Sequence, residues 1–133
     1  MNYLKILSDR HSWPDAALLV LRIAIGVVFI IHGYDKLFGD LGIAGFAGFL
    51  AKLGVPFPLF FSWVVSLVEF FGGIAVLVGV WVKPAAALIA IDMVVAFFLV
   101  KGGLPKGDLE LVLFAMALAL VLAGSGKYQL WKK

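Results

Sequence analysis

From Asp15 to Phe38 the chain reads DAALLVLRIAIGVVFIIHGYDKLF, an apolar run broken by Arg22 and closed by the cluster His32-Gly33-Tyr34-Asp35-Lys36. As a helix this run is long enough to cross a hydrocarbon core of about 30 Å. An ionisable side chain at that depth costs about 2.5–3.5 kcal/mol on insertion scales, so it usually faces protein or water. Arg22 keeps its proton in proteins. Its guanidinium therefore calls for an acidic partner from another segment or another protein.

The rest of the chain has the same character. Of 133 residues, 64% are hydrophobic and 14% charged, with a mean hydropathy of +1.12. A soluble domain of this size cannot bury so much apolar surface, which points to an integral membrane protein forming a single domain over residues 1–133. Cysteine is absent, which excludes disulfide staples, thiolate metal sites and dithiol chemistry within the chain. The small excess of +3 suits anionic lipid headgroups rather than nucleic acid. The opening MNYLKILSDRHSWP is a short amphipathic lead without a small-residue cleavage site, so no secretory signal peptide is expected.

Apolar runs and breakers predict four spans, at about 15–38, 59–82, 85–100 and 108–124. Between the first two lies GDLGIAGFAGFLAKLGVPFP, too short and too Gly-rich to span. Ile43, Phe46, Phe49, Leu50 and Leu53 share one helical side there. The segment reads as an interfacial helix or re-entrant loop, ended by Gly54 and Pro56. Lys83-Pro84 predicts a tight turn, KGGLPKG a polar turn, and GSGKYQLWKK a polar tail with Tyr128 and Trp131 at the interface. The expected fold is all-α, a membrane-embedded four-helix bundle with one short interfacial segment. Four spans put both termini on one side. That side carries Lys5, Arg10, Lys83, Lys127, Lys132 and Lys133, against Lys36, Lys52, Lys101 and Lys106 on the other, which favours cytoplasmic ends.

Helical rise ranks the charges by depth. Arg22 lies about 10 Å in from Asp15, Glu69 and Asp92 lie near the midplane, and Glu110 lies near the far surface with His32, Asp35 and Lys36. The candidate polar site is thus Arg22, His32, Lys36, Glu69, Asp92 and Glu110. In this reading Arg22 reaches Glu69 or Asp92, His32 or Lys36 meets Glu110, and Lys36 otherwise snorkels to the headgroups. Arg22, Gly26, Phe29, Gly33 and Lys36 follow one another at steps of four, three, four and three and share one side. Gly26 and Gly33, with Gly72 and Gly73 on span two, would let helices approach closely. Ser62, Ser66, Glu69, Gly73 and Val76 give span two a small or polar side.

These residues carry a functional and a structural reading. Arg22 would donate to a carbonyl such as that of a quinone and Glu69 would accept a proton; alternatively the two form an ion pair that pins span one to span two. His32 would serve as proton donor, metal ligand or haem ligand, or would simply bond a loop carbonyl at the interface. The other histidine, His11, precedes the first span, so no intrachain bis-His haem is expected. No metal site with diagnostic spacing is present. Asp92 would join a proton relay, pair with Arg22 or be neutral through desolvation. Phe60, Phe61, Phe70, Phe71, Phe97 and Phe98 would line a quinone slot or, as is commoner, face lipid and fill the bundle. No phosphate loop, nucleophile elbow or zinc signature occurs.

The segments LRIAIGVVFIIHGYDKLFG, FAGFLAKLGVPFP, SLVEFFGGIAVLVGVW and GSGKYQL resemble the DoxX family of small bacterial and archaeal membrane proteins. The most telling marks are Arg22, Gly26, Phe29, His32-Gly33, Lys36, Pro56, and Glu69 with Gly72-Gly73. Asp35 and Asp92 are not hallmarks of that family, and Ser125 and Gln129 depart from its usual Pro and Ser. The resemblance implies a four-helix membrane bundle. It also implies kinship with a membrane subunit of thiosulfate:quinone oxidoreductase and with proteins that associate with redox or thiol-stress enzymes.

The expected role is a membrane subunit of a redox system, and so an oxidoreductase subunit. It would hold a quinone or another small lipophilic molecule among the helices and anchor a soluble or membrane partner at a bacterial or archaeal inner membrane. Two other roles compete: a non-catalytic scaffold or assembly factor, and a small proton-coupled transporter acting as a homo-oligomer, with Glu69 and Asp92 carrying protons.

Overall fold

The computed structural model describes residues 13–129; Lys5, Arg10, His11, Trp131, Lys132 and Lys133 lie outside the described residues. The chain forms α1 (Trp13–Phe38), α2 (Gly42–Lys52), α3 (Pro58–Val78), α4 (Val82–Val95) and α5 (Asp108–Ala123), and α4 continues as a π turn over Ala96–Val100. Among the described residues there is no strand. Three helical runs are long and apolar enough to cross a membrane: α1, α3, and α4 with its π turn. The predicted fourth span is shorter. α5 has 16 residues, about 24 Å of rise against a hydrocarbon core of about 30 Å.

Two boundaries differ from the sequence expectation. Span two was expected to reach residue 82, but α3 ends at Val78, capped by Gly79 in the left-handed region with φ 85°. Only glycine enters that region without a steric penalty, and it is the common stop signal of a helix. Nor is Lys83-Pro84 a turn. The chain reverses over Gly79–Trp81, and Pro84 sits in the first turn of α4, where its missing N–H costs no intrahelical bond.

The outer surface is apolar, and a few polar side chains are buried within a mostly apolar core. Val20, Ile31, Phe60, Phe71, Ile91, Phe98 and Leu122 are exposed, while Arg22, Ser62, Ser66 and Glu69 are buried. Lipid suits that outer surface, and every buried polar group needs a partner inside. α3 buries Ser62, Ser66, Glu69, Gly73 and Val76, the side read from the sequence. α1 turns Arg22, Ile25, Gly26, Phe29 and Gly33 inward.

α1 and α3 run antiparallel with their backbones almost touching. A Cβ on Gly33 would lie 2.6 Å from Phe70 Cα, one on Gly26 would lie 2.7 Å from Leu77 Cβ, and one on Gly73 would lie 2.9 Å from Ile30 N. Gly72 differs: it faces α4, at an ordinary 3.5 Å from the Ile89 side chain. α4 and α5 complete the core with Ala86, Ile89, Met93, Ala117 and Leu120. α2 lies across α1 and α3, with Leu50 as its buried residue. The tail returns to the start of α1, where Lys127 N donates to Asp15 Oδ1 at 3.1 Å.

Candidate functional site

Arg22 meets neither Glu69 nor Asp92. Its guanidinium, 1% exposed, donates only to backbone carbonyls: Nε to Val76 O at 2.9 Å, one terminal nitrogen to Leu77 O at 3.1 Å, and the other to Ser125 O at 3.2 Å and to Tyr128 O. The reason is helix register. Antiparallel packing sets Arg22 level with the last turn of α3, and Glu69 lies seven residues further down, about 10 Å away along the axis. The last four carbonyls of a helix have no intrahelical partner and carry its partial negative charge. Arg22 satisfies two of them and ties the tail to the same spot. These carbonyls stand where the sequence reading placed a carboxylate.

The partner of Glu69 is Lys36. Lys36 Nζ donates to Glu69 Oε1 at 2.6 Å, with the Glu69 side chain 3% exposed. Lys36 therefore turns inward rather than snorkelling to the headgroups. α1 supplies it one helical turn beyond Gly33, the point of closest backbone approach to α3, so a short reach closes the pair. Phe46 of α2 lies over the ammonium, 5.3 Å from ring centroid to Nζ, a cation–π distance. From α4, Asp92 lines the same space as Lys36 and Glu69, and its buried Oδ2 has no hydrogen-bond partner.

These groups line one cavity of about 220 Å³ between α1, α2, α3, α4 and α5. His32, Lys36, Glu69, Asp92 and Glu110 all reach it; Arg22 does not. Apart from Lys101 its other walls are apolar, with Phe46, Phe49, Leu50, Val65 and Met93 among them. Glu110 meets neither His32 nor Lys36. Its ion pair is with Lys101 at 3.9 Å, and its Oε1 is buried without a hydrogen bond. His32 is exposed at the mouth, edge-on to Phe29 at 6.4 Å between ring centroids. No three His, Asp or Glu side chains among the described residues come together as a metal-ligand group.

Sequence reading overlooked Lys101 and Phe46 as wall residues. Lys101 follows α4 directly, much as Lys36 closes α1, and that parallel was the available signal. Phe46 gave none, because its place depends on how α2 folds back. Chemically, the cavity offers an ammonium, carboxyls with free acceptor positions and aromatic walls. That combination takes in a small molecule with one polar end and can hold or release a proton beside it.

The DoxX family profile matches residues 17–102. Among similar proteins, "Putative oxidoreductase CatD" of Bacillus subtilis is 28% identical over 110 residues, covering 80% of this chain and 78% of its own length. The inner membrane protein YphA of Escherichia coli is 32% identical over 88 residues, covering 66% of this chain and 60% of its own. The Escherichia coli inner membrane protein YqjF is 30% identical over 122 residues, covering 87% and 90%. No solved structure matches significantly. With the profile spanning more than half the sequence and overlapping all three helical runs of membrane-crossing length, the chain belongs to the DoxX family of membrane proteins.

Proposed function

We propose that the protein is the membrane subunit of a redox system and binds a quinone or a similar small lipophilic molecule in the cavity between its helices. The observation that carries this is the convergence of Lys36, Glu69 and Asp92 on a cavity with aromatic walls. Buried ionisable groups in a membrane protein mark functional sites by default. Quinone reduction consumes protons, and the Glu69 and Asp92 carboxyls at the cavity wall are groups that can carry them. Lys36 would donate to a quinone carbonyl, Glu69 with Asp92 would pass the proton, and Glu110 with Lys101 would connect the cavity to the surface. A relative that carries an oxidoreductase name supports the redox assignment. Electrons would come from a partner enzyme docked on this subunit, since the chain has no cysteine to carry them.

The test is extraction in mild detergent, followed by organic extraction and mass spectrometry. Wild-type protein retains a quinone; Glu69→Gln loses it while its helical circular dichroism is unchanged. Wild-type protein that emerges empty after gentle extraction, or a Glu69→Gln variant that retains its quinone fully, would sink this reading. The first result would favour a scaffold role.

A further inference from the structure

Beside the polar cavity lies a second hollow of about 270 Å³, at the lipid-facing surface between α3 and α4. Phe61, Leu88 and Ile91, which border it, are exposed at 37%, 52% and 62%. Its walls are apolar except for Asp92. Five side chains, Leu50, Val65, Asp92, Val95 and Leu99, line both hollows. A side chain that lines two hollows has one on each flank, so the partition is a single layer of side chains. Leu50, the buried residue of α2, is part of that layer, and Asp92 Oδ2 lies within it without a hydrogen-bond partner.

We propose that the two hollows are the head and chain compartments of one site, filled laterally from the bilayer by an amphiphile with an uncharged, hydrogen-bonding head. The head rests beside Lys36, Glu69 and Asp92, and the chain crosses the Leu50 partition into the groove between α3 and α4. This rests on the reading that the polar cavity binds a lipophilic molecule. The head is uncharged because Lys36 is already committed to Glu69 at 2.6 Å and the remaining wall charges are of both signs. It is not a phospholipid headgroup, because Asp92 lies about 12–15 Å from either end of its helical run, well below the phosphate level. The chain is apolar because the groove offers it nothing to hydrogen-bond apart from Asp92. Entry needs no opening of the bundle, only rotation of partition side chains.

The test uses the full chain in nanodiscs and three probes: 2,3-dimethoxy-5-methyl-1,4-benzoquinone, the same ring with a decyl chain, and decyl phosphate. Ile91→Trp fills the groove from an exposed position. Leu88→Trp does so from a second, in case the first variant misfolds. The expected result is that either substitution weakens binding of the decyl quinone about tenfold and leaves the chainless ring unaffected. Bilayer partitioning of the probe is the same for every variant and cancels. Decyl quinone binding unchanged in both variants, or decyl phosphate binding as tightly, overturns the shared site while the head compartment stands. If neither quinone binds wild type, the reading of the polar cavity falls and takes this inference with it.

Discussion

Arg22 shows how a lone cation can sit inside a membrane protein without any acid. Its donors end on Val76 O, Leu77 O, Ser125 O and Tyr128 O, so it acts as a cap on α3 and a clasp on the tail. Hydrogen bonds to charged groups are worth about 1.5–3 kcal/mol each. Arg22→Ala is therefore expected to lower stability by at least about 3 kcal/mol, seen as a drop in the detergent-solubilised thermal midpoint. Arg22→Lys should recover only part of this, because an ammonium cannot match the guanidinium fork. Quinone retention by whatever variant remains folded should be normal, since Arg22 lies outside the cavity. A large loss of bound quinone at unchanged stability would contradict the clasp. That Arg22 is buried was legible in the sequence, because its cost in lipid depends on its own chemistry. Its partner was not, because the pairing follows from the register between two helices, which neither helix encodes locally.

At the scale of elements, glycine spacing decides how α1 and α3 meet. Gly26, Gly33 and Gly73 sit where a Cβ would fall within 3.0 Å of the facing helix, and Gly72 sits where it would not. Gly33→Ala should push α1 from α3, shift Lys36 away from Glu69, and lower the thermal midpoint markedly. Gly72→Ala should be neutral or slightly stabilising, because alanine is the better helix former by about 1 kcal/mol. Equal effects of the two substitutions on the midpoint would show that the α1–α3 contact is looser than its geometry requires. The inward sides of both helices were legible, because a period of 3.6 residues places Arg22, Gly26 and Gly33 on one side whatever they touch. The distinction between Gly72 and Gly73 was not, since adjacent residues point to different neighbours and only the assembled bundle says which neighbour is close.

For the whole molecule, the open issue is whether the short α5 completes a fourth crossing. Three contacts argue that it does. The tail just beyond α5 bonds to Asp15 at the start of α1, Arg22 holds Ser125 O and Tyr128 O, and an added Cβ on Gly124 would lie 3.2 Å from Lys83 Cε in the first turn of α4. The start of α1, the α3–α4 turn and the tail therefore share one end of the bundle, while Lys101 pairs with Glu110 at the other. A helix of about 24 Å can link these ends if the bilayer thins locally or the tail enters the headgroup layer, each at modest cost. Because the chain has no native cysteine, single cysteines report sidedness without a background. Lys83→Cys and Lys127→Cys should react with a membrane-impermeant maleimide only in inverted vesicles, and Lys101→Cys only in intact spheroplasts. The direction is the one expected from the sequence alone, which counts Lys5, Arg10, Lys83, Lys127, Lys132 and Lys133 against Lys36, Lys52, Lys101 and Lys106. Labelling of Lys101→Cys and Lys127→Cys from the same side would mean that α5 does not cross. The polar cavity would then lie near one surface instead of within the membrane, and a bilayer-borne ligand would lose its route to Asp92.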